Sequence, residues 1–312
     1  MKPLKPARLS KGDLIGIISP ASPIADLTKI QEGVRYLESL GYRTLTGKNI
    51  EAREGYLAGN DKQRLADFHS MFRNRRVKAI FCVRGGYGTP RLLSSLDYNL
   101  IKANPRILVG FSDITALHLA LWHRCGLVTF SGPMLGVDMI GSRDPFTEEH
   151  FWSVLTSPSN KRRISLDGET TVVHRKGKAT GRILGGNLSL VVNLLGTPFV
   201  PGFKGSILFL EDVGEEPYRV DRMMMQLRNS GILGAASCLL GGQFTDCVPK
   251  QSVPGSQTIA EVLREVSGHV KVPFLANLPF GHQPQKLTLP IGVTARVNTQ
   301  TLSIDLLESP VL

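Results

Sequence analysis

The sequence predicts an α/β protein of two units: an N-terminal parallel sheet flanked by helices, flavodoxin- or Rossmann-like, and a C-terminal β-rich α+β domain. Three observations predict it. Through roughly the first 130 residues, short apolar runs alternate with segments of helical periodicity. Residues of roughly 140–180 are rich in Pro, Ser, Thr, Gly and charge, as a connector is. Beyond them, apolar runs and turn signals follow one another with less regular alternation. The expected division is 1–140 for the first unit, 141–178 for the connector and 179–312 for the second.

The elements follow in order. Asp13–Ser19 (DLIGIIS) is an apolar run closed by Pro20, a first strand. Ile30, Val34, Leu37 and Leu40 share one helical face before Gly41, and Tyr42–Leu45 is strand-like. A helix begins at Asp61 with Leu65, Phe68 and Phe72 on one side. Lys78–Val83 (KAIFCV) is a buried strand stopped by Arg84-Gly85-Gly86-Tyr87-Gly88. Leu92–Leu96 reads as helix, Arg106–Phe111 (RILVGF) as strand and Ile114–Trp122 as helix. The connector holds at most one helix, around Thr147–Leu155. In the second unit, Ile183–Leu184 runs into Gly185-Gly186-Asn187, and Ser206–Leu210 and Ala235–Leu240 are strand-like. Val220–Leu227 and Ile259–Val266 are helix-like, with Met223–Met225 as core packing. Thr294–Asn298 with Leu302–Leu306 makes a hairpin.

Composition narrows the function classes. With 312 residues, 42% hydrophobic and 20% charged, the chain can bury a sizeable core. The N-terminal MKPLKPARLS lacks the apolar core of a secretory signal, and no apolar run approaches a membrane span, so a cytoplasmic protein without a membrane partner is expected. Cys82, Cys125, Cys238 and Cys247 show no CxxC spacing, which argues against a disulfide framework or a zinc site. Cys82 and Cys238 read as buried thiols; Cys247, after Asp246 in a loop-like stretch, is open to a reactive role. The net charge is +11, but the basic clusters Arg73–Lys78, Lys161–Arg163 and Arg175–Lys178 are short, dispersed and not interleaved with aromatics. They read as solvated surface, or as attraction for anionic substrates, rather than as a nucleic-acid interface.

Ligands of open α/β sheets bind at the carboxyl ends of strands, and two segments there suit chemistry. Arg84–Gly88 ends a buried strand with consecutive glycines, whose N–H groups can cradle a phosphate or an oxyanion. Gly110-Phe111-Ser112-Asp113 stands between a strand and a helix. Ser112 there is a candidate nucleophile and the Asp113 N–H a candidate oxyanion donor, although either residue could instead cap the helix. Ile114 replaces the second glycine of the G-x-S-x-G signature. A nucleophilic serine needs a base. His118 and His123 lie too far along the helix; His69, His150, His174 and His269 have no special setting. His282, in the Leu278-Pro279-Phe280-Gly281-His282 turn, is the candidate base, with an ordinary surface histidine as the competing reading. Glu211, after the apolar run GSILFL, is the candidate orienting carboxylate or a helix cap, a role that Glu215 and Glu216 suit better.

Taken in order, these segments resemble the serine LD-carboxypeptidases (muramoyltetrapeptide carboxypeptidases) and their microcin-immunity relatives. The stretches that carry the resemblance are Ser19-Pro20-Ala21-Ser22, Tyr56-Leu57-Ala58-Gly59, Arg84–Gly88, Gly110–Asp113, Gly185-Gly186-Asn187-Leu188, Leu210–Glu215 with Tyr218 and Arg222, and Gly281-His282. The resemblance implies a Ser112–His282–Glu211 triad and an oxyanion hole from the N–H groups of Asp113 and Gly86. It implies a site in the cleft between two domains, cofactor-free and metal-free hydrolysis of an L–D peptide bond, and release of D-alanine from murein tetrapeptides. It also implies a homodimer. Gln283-Pro284-Gln285 departs from the family pattern, leaving substrate detail open. A substrate carboxylate would need a cation, for which Arg84 is one candidate; a structural ion pair is its other reading. The competing functions are a microcin-immunity-type peptidase or amidase acting on a nucleotide-peptide, and a non-enzymatic nucleotide-binding protein.

Overall fold

A computed structural model describes residues 2–159, 162–166, 170–251 and 255–312. Lys161, counted above in a basic cluster, lies outside them. The described residues form two sheets. The first has the order β12-β5-β4-β3-β1-β2. Its strands β1 (Leu14–Ile18), β2 (Arg43–Thr46), β3 (Val77–Cys82), β4 (Ile107–Gly110) and β5 (Thr129–Ser131) are parallel. Helices α1 (Thr28–Ser39), α2 (Asp61–Arg73), α3 (Tyr98–Ala103) and α4 (Thr115–Cys125) alternate with them, as the βαβα pattern predicts. Strand β3 is buried nearly throughout and β4 entirely, because helices cover both faces; hence their unbroken apolar runs. Asn60 and Gln63 cap the start of α2 reciprocally, and Gly126, left-handed at φ +69°, ends α4.

The second sheet has eight strands in the order β6-β14-β13-β8-β9-β10-β11-β7. They are β6 (Arg162–Ser165), β7 (Val172–Arg175), β8 (Lys178–Asn187), β9 (Ser206–Val213), β10 (Cys238–Thr245), β11 (Phe274–Ala276), β13 (Thr294–Asn298) and β14 (Ser303–Leu306). Its centre, β8 to β11, is parallel, and the expected hairpin is β13–β14. Helices α6 (Leu188–Asn193), α7 (Pro217–Asn229), α8 (Ile232–Ala235) and α9 (Ile259–His269) follow its strands.

Three findings differ from the sequence reading. The stretch 141–178 holds the expected helix, α5 (Pro145–Thr156), but also β6 and β7, the two edges of the second sheet. Edge strands pair on one side only and carry charge, so no apolar run marks them. Residues 89–95 wind as a 3₁₀ turn rather than an α-helix. The three-residue β12 (Leu289–Ile291), from the C-terminal half, adds antiparallel to β5 and closes the first sheet. It is short and contains Pro290, which an edge position tolerates and a sequence pattern hides.

Candidate active site

Strand β4 ends at Gly110, and two residues later Ser112 has φ +61°. A non-glycine residue held there costs on the order of 1–3 kcal/mol and persists only where its surroundings impose it. A single 3₁₀ turn, Ser112–Ile114, then leads into α4. Ser112 caps neither segment: the N-cap positions are Phe111 and Ile114, without side-chain capping bonds. Asp113 is committed elsewhere. Its Oδ2 accepts the N–H of Thr89 at 2.8 Å, and its carbonyl accepts the Thr89 hydroxyl at 2.5 Å. The serine hydroxyl is thus left on a strained strand-to-helix turn, the setting of a nucleophile.

The glycine turn after β3 lies against it. A Cβ on Gly85 would stand 2.9 Å from Ser112 Cβ, 3.1 Å from Ser112 Oγ and 3.3 Å from the Asp113 nitrogen. Only bare backbone fits there. Gly86, at φ +113°, packs on Ser22, whose Oγ accepts the Tyr87 N–H at 3.0 Å and whose N–H donates to Gly85 O at 3.4 Å. The Gly86 N–H has no acceptor among the described residues. Buried Arg64 ties the turn from behind, donating to Pro20 O at 2.7 Å and Gly88 O at 3.0 Å. Arg84 braces the same turn, with bonds to Gly85 O at 3.3 Å and Pro23 O at 3.5 Å. It forms no ion pair among the described residues. The sequence reading missed Gly85 as the glycine nearest the nucleophile, and it gave Ser22 and Arg64 no role. A polar residue at position 64 carries no sign that its guanidinium is buried.

Opposite them stand Glu211 and His282. Strand β9 runs on through Val213, so Glu211 lies inside the strand rather than after it, and is 3% exposed. His282 Nδ1 lies 2.8 Å from Glu211 Oε2. A carboxylate acceptor takes its bond from the Nδ1–H tautomer, which leaves Nε2 as the ring nitrogen free for a further contact. Burial pushes the Glu211 carboxyl up, and the contact with His282 pulls it back. Gly281, at φ +114°, lets the loop pass: a Cβ there would stand 3.0 Å from Glu211 Oε2 and 3.1 Å from Gln243 O. The neighbouring acids do other work. Asp212 accepts from Asn187 Nδ2 at 2.8 Å and from Ser189 N and Oγ at 2.9 and 2.7 Å. Glu216 sits at the α7 N-cap without a capping bond, and Glu215 pairs with Arg219 at 3.7 Å.

The remaining candidates fall away. His118 is fully buried and bonds Gly110 O at 2.8 Å through Nε2; burial pushes it down to about 4. His150, also pushed down to about 4 by burial, accepts the Thr288 N–H at 3.0 Å. Cys247 is buried, and burial pushes its thiol up to about 11, which removes the reactive reading. No group of three or more His, Cys, Asp or Glu converges as a metal site among the described residues.

The halves meet at Phe111. Its ring packs edge-on against His282, centroids 4.9 Å apart, which sets the imidazole beside the residue preceding Ser112. No hydrogen bond joins Ser112 Oγ to the imidazole; the histidine's own bond is to Glu211. A cavity of about 320 Å³ opens here, lined by Phe111, His282 and Gln283 and by Asp138, Arg143 and Glu148.

The family models for the LD-carboxypeptidase N-terminal domain and C-terminal domain match residues 15–132 and 180–297. The chain belongs to the LD-carboxypeptidase family. It is 42% identical over 297 residues to a probable murein peptide carboxypeptidase of Bacillus subtilis (strain 168), covering 95% of this chain and 92% of that one. A crystal structure of muramoyltetrapeptide carboxypeptidase from Oxalobacter formigenes matches with a TM-score of 0.84 at 33% identity, covering 94% and 97%. The microcin C7 self-immunity protein MccF of Escherichia coli is 29% identical, covering 98% and 96%. A structure of MccF in complex with glutamyl sulfamoyl guanosine matches with a TM-score of 0.91, covering 99% and 100%. In this chain the N-terminal match carries Ser112 and the glycine turn, and the C-terminal match carries Glu211 and His282. Residues 133–179, with α5, β6 and β7, lie outside both.

Proposed function

We propose that this LD-carboxypeptidase is a serine peptidase that hydrolyses the L–D bond of murein tetrapeptides and releases the terminal D-alanine. The observation that carries the reading is the bond from His282 to buried Glu211, with the imidazole packed on the residue that precedes a serine on a strained turn, whose neighbouring glycine leaves room only for backbone. The names of the relatives supply the substrate class.

The residues divide the work. Substrate enters beside Phe111 and brings Ser112 Oγ and His282 Nε2 into hydrogen-bonding range; such contacts commonly tighten only on binding. His282 takes the hydroxyl proton as oxygen attacks the scissile carbonyl, and its Nδ1–H stays on Glu211. The oxyanion forms against the N–H groups of Asp113 and Gly86, each worth about 3 kcal/mol in transition-state stabilisation. His282 then protonates the departing amine of D-alanine, and the same base activates the water that releases the acyl group. No cofactor takes part. Arg84, braced across the mouth of the glycine turn, is assigned to the substrate's terminal carboxylate; Arg84→Ala should raise KM for a tetrapeptide.

Purified protein incubated with murein tetrapeptide and with an all-L control should give tripeptide, read by mass spectrometry, from the first alone. Cleavage of both removes the stereochemical claim, and cleavage of neither removes the substrate. The nucleotide-peptide reading wants an exposed aromatic loop to stack a purine. The aromatics of 141–178 are packed instead: Phe151 is buried, Trp152 stacks on Tyr42 at 5.1 Å and Phe146 on His150 at 6.2 Å. Nucleotide-dependent thermal stabilisation without labelling by serine-directed inhibitors would favour the non-enzymatic reading. The proposal includes a cytoplasmic site of action and a homodimer, checked by fractionation and by light scattering. No helix among the described residues is long and apolar enough to cross a membrane.

A further inference from the structure

His282 belongs to the C-terminal match, yet the loop that follows it is fastened to the N-terminal half. The Lys286 N–H donates to Thr147 Oγ1 at 2.8 Å, and that hydroxyl donates to Pro284 O at 3.0 Å. The Lys286 ammonium is buried, 4% exposed, and paired with Asp138, itself 10% exposed. It also stands 4.3 Å from the centroid of the Phe111 ring, the ring that packs on His282 and precedes Ser112. Asp138 Oδ2 accepts the Met134 N–H at 2.8 Å. The same turn is bonded to the end of β3, through Leu135 N to Cys82 O at 3.0 Å and Gly136 N to Val83 O at 2.9 Å. The glycine turn begins one residue further on. A single buried ion pair therefore touches the ring that precedes the nucleophile, belongs to the histidine loop, and is linked through the Met134 turn to the end of β3, where the glycine turn starts.

We propose that Lys286 and Asp138 are positioning residues that hold the His282 loop against the nucleophile turn and so set the geometry of the base. The inference rests on the serine reading. Its physical ground is that apolar or neutral side chains of similar volume often replace a buried ion pair without loss of stability, because desolvation offsets the Coulomb attraction. A lysine desolvated in this place contributes little to stability that a methionine would not. What a methionine cannot supply is a directed bond from the histidine loop to the turn at the end of β3.

The test separates fold from position. Lys286→Met/Asp138→Asn keeps the volumes and keeps an acceptor for the Met134 N–H. Three quantities are read on the full chain: Tm, kcat and KM for the tetrapeptide, and the rate at which a fluorophosphonate labels Ser112. We expect Tm near that of the unaltered protein, KM unchanged, and kcat and labelling rate both down about ten- to a hundredfold, the effect of misplacing a reacting group by about 1 Å. If the double variant does not fold, Lys286→Leu/Asp138→Asn, which likewise leaves no buried charge unpaired, is read in the same way and should show the same split. Unaltered kcat and labelling in the folded variant would overturn the inference and leave the serine reading standing. An unaltered protein that the fluorophosphonate does not label would remove both.

Discussion

The two sides of the proposed active site are built by different means. The nucleophile side is made of backbone: a serine at φ +61°, a glycine whose missing Cβ is the space beside that serine, and a Gly86 N–H without an acceptor among the described residues. The acid–base side is made of side chains: a carboxylate inside a buried strand, an imidazole bonded to it at 2.8 Å, and an ammonium–carboxylate pair behind the loop. A site made of backbone fails when an atom is added. A site made of buried charge fails when a charge is removed or left unpaired. Each half should therefore be broken by a different kind of substitution.

The largest effect should come from Ser112→Ala, with kcat falling on the order of 10⁶-fold, as for a triad nucleophile, while circular dichroism and Tm stay near their starting values. His282→Ala should match it. Activity near that of the unaltered protein in either variant would remove the serine mechanism. Glu211→Gln alters charge and tautomer but not shape, and leaves the nucleophile and its base in place. We expect a loss of about 10⁴-fold in kcat with measurable activity remaining, since orientation rather than proton transfer is lost. Gly85→Ala adds one methyl carbon to the backbone-built side. Its Cβ would crowd Ser112 and the Asp113 amide, so kcat should drop about 10²- to 10³-fold, the cost of a lost oxyanion donor, with little change in Tm. A Gly85→Ala enzyme with full activity would mean that the turn does not touch the reacting centre.

The smallest effect is on stability and concerns two buried histidines. His118, bonded to Gly110 O, and His150, bonded to the Thr288 N–H, are both held neutral by burial, pushed down from 6.5 to about 4. Between those values the unfolded chain binds protons that the folded chain does not. Stability therefore falls as pH drops from about 6.5 to about 4 and is fully present above that window. Tm measured against pH should fall across it, and His150→Asn should flatten the slope. An unchanged slope would show that His150 does not stay neutral in the folded protein.

Much of this was legible in the sequence where the physics is local. The parallel sheet was readable because β3 and β4 are covered on both faces and must be apolar throughout. Ser112 was readable as a polar residue at a strand-to-helix junction, and His282 as an imidazole in a turn fixed by proline and glycine. The edge strands β6 and β7 and the three-residue β12 were not, since one-sided pairing imposes no pattern on composition. The commitment of Asp212 to Asn187 and Ser189, which leaves Glu211 to the histidine, is likewise invisible in the run Glu211-Asp212.

The sequence by itself determined which backbone conformations and which chemical groups were available: apolar runs for the strands, glycines where Cβ atoms would collide, one serine, one glutamate and one histidine in suitable segments. Tertiary structure alone decided their pairing. Phe111, which precedes Ser112, packs on His282, His282 bonds Glu211, and a lysine from one half finds its carboxylate in the other. Local propensity reaches along a few residues of chain, whereas the desolvation and packing that select such contacts act across the chain's whole length.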